Sequence, residues 1–239
     1  MRTICSCLLL FILTLQTADA GVEATWELPT KGVRFTVEYF DSENIRMTIK
    51  DDLYLLIIES DIYMVNGDSI TDVNAFRDKV KDWNIVRFIA KKMDSRSKRV
   101  PPPDRLEATG KIETVAGIQG EVYHAVIANN ETGEKEDRRI VLTKHPKLVE
   151  LKQALQSISD RNMKTFHNEG FANMKGAMQN SFPPDVSILR YGEKFHLTSF
   201  SEKDMPKERF RLPANNPIKE LPGFSDLTAF ARLAAPFSY

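Results

Sequence analysis

The sequence predicts an α+β fold in which one large antiparallel sheet is combined with a few helices. Several short runs alternate apolar and polar residues, which is the period of a half-buried strand. The links between the first runs, DSEN, KDD and ESD, are too short for a parallel crossover. Later stretches space their apolar residues as amphipathic helices do.

The first predicted strands follow one another closely. Val33–Phe40 alternates cleanly, and Asn44–Lys50 repeats the pattern. The next two runs, Leu53–Ile58 and Ile62–Val65, are apolar on both faces. A sheet with one solvated face needs a single apolar set, so the second set is packed by loops or lines a ligand groove. By alternation, the two sets are Leu55, Ile57 and Ile62 on one face, and Tyr54, Leu56, Ile58, Tyr63 and Val65 on the other.

The stretch MVNGDSITDVNAF, Met64–Phe76, resembles the opening block of GDS-type esterases, in which the serine after Gly-Asp attacks an ester. Ser69 is therefore a candidate nucleophile or a turn residue. Asn66-Gly67 favours a two-residue hairpin, because both residues tolerate positive φ. No histidine follows an aspartate by three residues, so the motif lacks its base. We predict that Ser69 belongs to a turn and that the protein is not an enzyme.

A helix is predicted after this hairpin, because Val73, Phe76, Val80 and Trp83 have helical spacing behind Thr71 or Asp72 as a cap. The basic stretch Lys91–Arg105 contains three consecutive prolines. We interpret it as a solvated connector, since such runs favour extended polyproline conformation; an acidic partner is the alternative reading.

Strands resume in the second half of the chain. Arg105–Ala128 reads as strand, turn at Ala116-Gly117 and strand, and Glu136–His145 as a further strand. Residues 186–213 supply the closing strands around a turn at Gly192.

Three helical stretches are predicted in this half. Pro146 opens the first and Pro183 ends the second. The third is a short C-terminal helix. Their apolar residues are Leu148, Leu151, Leu155 and Ile158 in the first; Met163, Phe166, Phe171, Met174 and Met178 in the second; and Phe224, Leu227, Phe230 and Leu233 in the third.

The N-terminus has the pattern of a secretory signal peptide. Arg2 supplies a positive charge, Leu8–Leu15 is apolar, and Ala18–Ala20 fits a cleavage site. An uncleaved anchor is the alternative. We predict cleavage near Ala20 and a periplasmic or secreted protein that is soluble after cleavage. Both cysteines precede the site, so the mature chain folds without disulfides. We predict a single domain over residues 21–216 and an extension over 217–239 with a short helix.

Three segments resemble a family of exported bacterial proteins that is similar to the LolA-type lipoprotein carriers. They are NIRMTI with IYMVNGDS, ATGKIETVAGIQGEVYHAVI, and the ending FPPDVSILRYGEKFHLTSFSEKDMPKERFRLPAN. The resemblance spans about Val33 to Pro213. It implies an open antiparallel β half-barrel curled around a few helices, with a cavity that holds acyl chains in the carriers. Family members often have a cysteine in the strand where this chain has Gly120-Glu121-Val122.

Two functions remain open. The first is binding of a lipid, an acyl chain, a lipoprotein or another apolar ligand. The second is a protein-interaction or structural role in the cell envelope, with another envelope protein as partner. The equal numbers of basic and acidic residues, 33 each, predict no nucleic-acid partner, and the motifs of metal and cofactor sites are missing from the sequence, so no cofactor is predicted. The candidate ligand-binding residues are Leu56, Ile58, Met163, Phe166, Met174 and Met178.

Overall fold

A computed structural model describes residues 21–29, 32–80, 103, 105–128, 135–163, 182–193 and 195–220. Within these ranges, twelve strands form one sheet in the order β12-β6-β5-β4-β3-β2-β1-β11-β10-β9-β8-β7. Two α-helices and a short 3-10 helix lie outside it. The predicted large, open antiparallel sheet is confirmed, although helices contribute less of the described chain than the α+β prediction implied.

The first meander holds six antiparallel strands, four of which the sequence predicts. Each strand pairs with the next in the chain. The strands are β1 (Gly21–Leu28), β2 (Val33–Asp41), β3 (Asn44–Lys50), β4 (Leu53–Ile58), β5 (Asp61–Asn66) and β6 (Ser69–Asp72). β1 and β6 are additions to the predicted strands.

The second meander begins at the opposite edge of the sheet and ends at its centre, where its last strand pairs antiparallel with β1. Its strands are β7 (Arg105–Val115), β8 (Ile118–Ala128), β9 (Lys135–Thr143), β10 (Ser187–Tyr191) and β11 (Phe195–Lys203). A two-residue strand, β12 (Ile218–Lys219), pairs parallel with β6. The sheet therefore includes residues from the segment predicted as an extension.

Turn chemistry explains the two hairpins at Ala116-Gly117 and Gly67. Ala116 and Gly117 both have positive φ, 50° and 82°, as a type I′ turn requires. At the first hairpin Asn66 pairs with Ser69, so the two turn residues are Gly67 and Asp68. Gly67 has φ 57°. The predicted hairpin is confirmed, but its turn lies one residue later than predicted, because Asn66 still belongs to β5.

One face of the sheet carries the main core, and we call it the inner face. The helix α2 (Pro146–Met163) packs its apolar stripe against this face, as its spacing predicts. Leu148 and Leu151 are 1% and 2% exposed. The sheet residues of the same cluster are Val22, Ala24, Trp26, Leu28, Phe35, Val37, Tyr39, Ile45, Ile57, Val115, Ile118, Val122, Val141, Leu189 and Leu197.

The opposite, outer face is covered in part by residues 205–212, which we call the outer strap. A 3-10 helix, Lys207–Phe210, lies within it. Phe210 is buried and its ring lies 6.1 Å from that of Phe40. Arg209 Nη2 lies 2.6 Å from the carboxylate of Glu38, which is only 2% exposed. This ion pair and the buried aromatic contact fasten the strap to the sheet.

The helix α1 (Val73–Val80) begins at the predicted cap. The backbone N–H of Ala75 donates to Asp72 Oδ1 at 2.9 Å. The later part of the predicted helix, to Trp83 and beyond, lies outside the described residues. So do the stretches containing Phe166–Met178 and Phe224–Leu233.

We expect Asp72→Ala to lower the free energy of unfolding by about 1 kcal/mol, because an orphan N–H at the helix start loses its acceptor. Asp72→Asn keeps an acceptor oxygen and should lose much less. Urea unfolding of the three proteins measures the difference. Equal losses for alanine and asparagine would show that the cap contributes nothing.

Candidate functional site

A polar contact helps to hold helix α2 on the inner face, in addition to its apolar stripe. The Tyr39 hydroxyl, on β2, donates to Glu150 Oε1 at 2.8 Å. Burial, together with this hydrogen bond, raises the pKa of Tyr39 above its ordinary value, so the hydroxyl stays protonated and remains a donor.

A lysine on α2 also holds residues 183–186 beside the helix. Lys152 Nζ donates to the carbonyl oxygens of Pro183, Pro184 and Val186, at 3.2, 3.0 and 2.6 Å. Burial lowers the pKa of Lys152. The three carbonyls offset part of the cost of removing the ammonium from water, and they fix residues 183–186 beside the helix.

A smaller apolar cluster occupies the inner face under α1. Leu53, Met64 and Val73 are its buried members. Thr71 lies opposite Met64 across β5 and β6, and it is 2% exposed. Its hydroxyl makes no hydrogen bond within the described residues. The inner face therefore has two buried regions, one under each helix.

Half-buried apolar residues connect these two regions, and we call them the inner strip. Ile49 and Ile62 contact both clusters. Met47 and Leu55 lie opposite each other on β3 and β4, on the same face. The side chains of these four residues are partly accessible to solvent, unlike the fully buried Ile45 and Met64 beside them. The strip consists of Met47, Ile49, Leu55 and Ile62.

Leu56 and Ile58 lie on the outer face. Leu56 is 0% exposed and clusters with Val65 and Ile70, while the half-buried Ile58 and Leu212 pack against them. The two apolar sets of β4 and β5 thus divide between the faces as predicted, and Leu212 of the outer strap supplies the loop packing.

The other candidate ligand residues are described only in part. Met163, predicted in the second helical stretch, is instead the last residue of α2. Phe166, Met174 and Met178 lie outside the described residues. A ligand role for these residues stays a prediction.

Three aromatic rings stack on the inner face where β1, β2 and β11 meet. The Trp26 ring centroid lies 5.8 Å from that of Phe35 and 6.3 Å from that of Phe195. Trp26 is 7% exposed, and its indole Nε1 has no hydrogen-bond partner within the described residues. Buried indole N–H groups usually find an acceptor. This one lies among apolar rings and is an unused donor.

A charged cluster lies on the part of the inner face formed by β7 to β10. Glu113 precedes the core residue Val115 by two positions and therefore points to the same face. Its carboxylate forms ion pairs with Arg139 on β9 and with Arg190 on β10; Arg190 Nη1 lies 2.8 Å from Oε1. Sequence reasoning missed this cluster, because its members are far apart in the chain.

This cluster shows that the sheet curls toward its inner face. Glu113 and Arg190 lie on strands separated by β8 and β9, so a flat sheet would hold them about 14 Å apart. Side chains that stand perpendicular to a flat sheet do not meet over that span. The ion pair therefore requires β7 to bend toward β10, which makes this part of the inner face concave.

Ser69 lies at the start of β6, directly after the turn, and its hydroxyl accepts a hydrogen bond from Lys219 Nζ at 3.1 Å. Within the described ranges, no group of three or more His, Cys, Asp or Glu side chains is placed to hold a metal ion. No helix there is long and apolar enough to cross a membrane.

Comparisons of this chain with family models, with curated proteins and with solved structures found no match.

Proposed function

We propose that this protein is a non-enzymatic binding protein for a lipid, an acyl chain or another apolar ligand, and that the ligand lies along the inner strip. The single observation that carries the proposal is the half-buried state of Met47, Ile49, Leu55 and Ile62 between two buried clusters. A strip of accessible apolar side chains on a sheet face is suited to a ligand with no hydrogen-bonding groups along its length.

The energetics of an acyl chain fit such a strip. Each methylene that leaves water contributes about 0.8 kcal/mol. A chain of about a dozen carbons therefore supplies about 10 kcal/mol, part of which is lost in immobilising the ligand. If immobilisation costs about 4 kcal/mol, about 6 kcal/mol remains, which corresponds to a dissociation constant of tens of micromolar for a fully covered chain.

The resemblance to the LolA-type carriers supports the same function. The bend of β7 toward β10 fits one side of a half-barrel, and in those carriers the cavity between sheet and helices holds acyl chains. The signal-peptide pattern that ends near Ala20 fits an exported protein that works in the periplasm or outside the cell.

We expect Ile62→Gln to weaken binding of a fluorescent fatty-acid analogue about tenfold. The glutamine amide would lose its hydrogen bonds to water when the ligand covers the inner strip, and the ligand would offer no hydrogen-bond partner in exchange. Tyr63→Gln is the matched control, since Tyr63 is also half-buried but lies on the outer face of the same strand. The measurement is a fluorescence titration of the two variants and the parent protein, with thermal unfolding to show that all three are folded.

Two results would overturn the proposal. Equal loss of affinity in Ile62→Gln and Tyr63→Gln would place the ligand elsewhere or reflect destabilisation alone. No saturable binding to the folded parent protein would leave the envelope interaction or structural module as the remaining function.

A further inference from the structure

We propose that two copies of this chain associate through β7, with the two β7 strands antiparallel and centred on Thr109. β7 (Arg105–Val115) is the last strand of the sheet that the structure describes, and β8 is its one neighbour there. We call the side of β7 that faces away from β8 the β7 edge. A strand added to this edge would continue the sheet into the second copy. The inference does not depend on the proposed function, because the inner strip lies on β3 to β5.

The β7 edge is accessible to solvent. Lys111 is exposed and Ile112 is 64% exposed, although β11 also approaches β7. Within the described ranges, Ile112 is one of two large apolar side chains that are exposed. Natural edge strands usually avoid such a side chain, because an accessible apolar edge pairs readily with another chain. This exposure therefore favours a contact role for β7.

The sequence of β7 is complementary to itself when one copy is reversed. Antiparallel pairing centred on Thr109 places each residue opposite the residue that is equally far from Thr109 on the other side. Every charged residue then faces an opposite charge, and the two large apolar residues face each other. The facing pairs are Arg105–Glu113, Leu106–Ile112, Glu107–Lys111 and Ala108–Gly110.

The facing apolar residues also share a face of the sheet, as an antiparallel pair requires. Leu106 lies opposite Ala125 on β8, and Ile112 lies opposite Glu121. Ala125 and Glu121 are four positions apart on a strand whose residues alternate, so Leu106 and Ile112 lie on the same, outer face. The two side chains can therefore meet across the interface, once on each side of the two-fold axis.

The charges select this register over its neighbours. Moving the centre one residue toward the N-terminus places Arg105 opposite Lys111. Moving it one residue toward the C-terminus places Glu107 opposite Glu113. Like charges directly opposite each other are destabilising, so both shifts lose the match that centring on Thr109 provides.

The same edge disfavours unrelated strands. A bulge interrupts β7 between Ala108 and Ile112, and Lys111 adds an exposed positive charge. Bulges and lysines are common protections against indiscriminate edge pairing. A second copy places Glu107, which is 52% exposed, opposite Lys111 and so removes the charge penalty. The β7 edge therefore accepts its own sequence more readily than one without this carboxylate.

Glu107 and Lys111 carry most of this complementarity. Glu113 already forms ion pairs with two arginines of its own chain, so its pair with Arg105 of the second copy adds little.

The dimension of the interface predicts a closed and weak dimer. The other edge strand of the described sheet, β12, has two residues, whereas β7 has eleven. Pairing of β7 with β12 in a growing chain of copies is therefore poorly matched, and the self-complementary pairing closes on two copies. A single strand pair is smaller than a standard stable interface. We expect a dimer that dissociates on dilution.

The test measures the molar mass of the full chain by sedimentation equilibrium, from micromolar to millimolar concentration and at low salt. We expect a monomer–dimer equilibrium for the parent protein. Lys111→Glu and Glu107→Lys each turn both Glu107–Lys111 pairs of the dimer into like-charge pairs. Each variant should therefore raise the dissociation constant of the dimer about tenfold. Lys50→Glu is the matched control, since Lys50 is exposed on β3 and the net charge changes equally; it should leave the dissociation constant unchanged.

Combining the two variants tests the register directly. In a mixed dimer of Lys111→Glu with Glu107→Lys, both pairs again have opposite charges, so the mixture should dimerise about as well as the parent protein. The double variant E107K/K111E exchanges the two charges and should dimerise with itself to the same extent. Thermal unfolding of each variant shows that the effects on association are not caused by loss of the fold.

Three results would overturn the inference. The parent protein could remain a monomer up to millimolar concentration. Lys50→Glu could weaken the dimer as much as Lys111→Glu does, which would place the interface elsewhere. The mixture and the double variant could both fail to recover dimerisation, which would exclude the pairing of Glu107 with Lys111. None of these results bears on ligand binding at the inner strip, which the fatty-acid titration tests separately.

Discussion

Leu151→Ala is expected to lower the free energy of unfolding by about 3 kcal/mol, the largest stability effect that we predict for a single side chain. Leu151 lies in the middle of α2 and is 2% exposed. It belongs to the cluster that joins this helix to the inner face of the sheet. Alanine removes apolar contacts and leaves a cavity that the surrounding strands fill only in part.

Urea or thermal unfolding measures this effect, and Gln153→Ala is the matched control on the same helix. Gln153 is exposed, and alanine has the higher helix propensity, so the control should be neutral or slightly stabilising. A loss for Leu151→Ala no greater than that of the control would show that α2 does not contribute to the core.

Gly120→Ala is expected to lower the free energy of unfolding by about 2 kcal/mol, because the added methyl group has no room. A Cβ at position 120 would lie 2.6 Å from Val141 Cγ1 and 2.9 Å from Leu189 Cδ1. It would also lie 2.8 Å from the backbone oxygen of Leu142. The side chains can rotate away, but the carbonyl belongs to β9 and moves only with its strand.

Gly192→Asn provides the control for this prediction. Gly192 has φ 53° and would bring a Cβ within 4 Å of nothing, and asparagine tolerates that backbone conformation better than most residues. Its loss of stability should be clearly smaller than that of Gly120→Ala. The opposite order would mean that backbone conformation, rather than crowding, limits substitution in this sheet.

The same crowding applies to larger side chains at position 120, a cysteine included. Any side chain at Gly120 would meet β9 at the distances above. At that position, this chain packs β8 against β9 and β10 in a way that excludes a cysteine.

Alternation and turn chemistry account for most of the predicted fold. The alternating pattern of β2 is sufficient to predict a strand, because Phe35, Val37 and Tyr39 all face one core. The stripe of α2 is predicted correctly for the same reason. The pattern of β1 is equally clear, since Val22, Ala24, Trp26 and Leu28 alternate, although the first strand predicted from the sequence is Val33–Phe40. β6 and β12 are too short for periodicity to indicate them.

The polar clusters could not be predicted from the sequence, for a physical reason. Alternation places Glu38 outward, toward solvent, yet it is 2% exposed because the outer strap returns over it with Arg209. Glu113 meets Arg190 only because the sheet curls. Both contacts depend on long-range geometry, which a local pattern does not encode. The inner strip shares this property, since its exposure depends on how α1 and α2 pack on the sheet.

The pairing of β1 with β11 has a consequence for how the chain folds. Glu23 and Lys203, which form an ion pair across these strands, are 180 residues apart. At synthesis rates of about 5–20 residues per second, β1 waits about 10–40 s for its partner. During that time the first meander has an unpaired edge at β1, which is a template for aggregation. The pairing of β1 with β11 is therefore a late step that joins residues far apart in the sequence. The native sheet forms only after nearly the whole chain has been made.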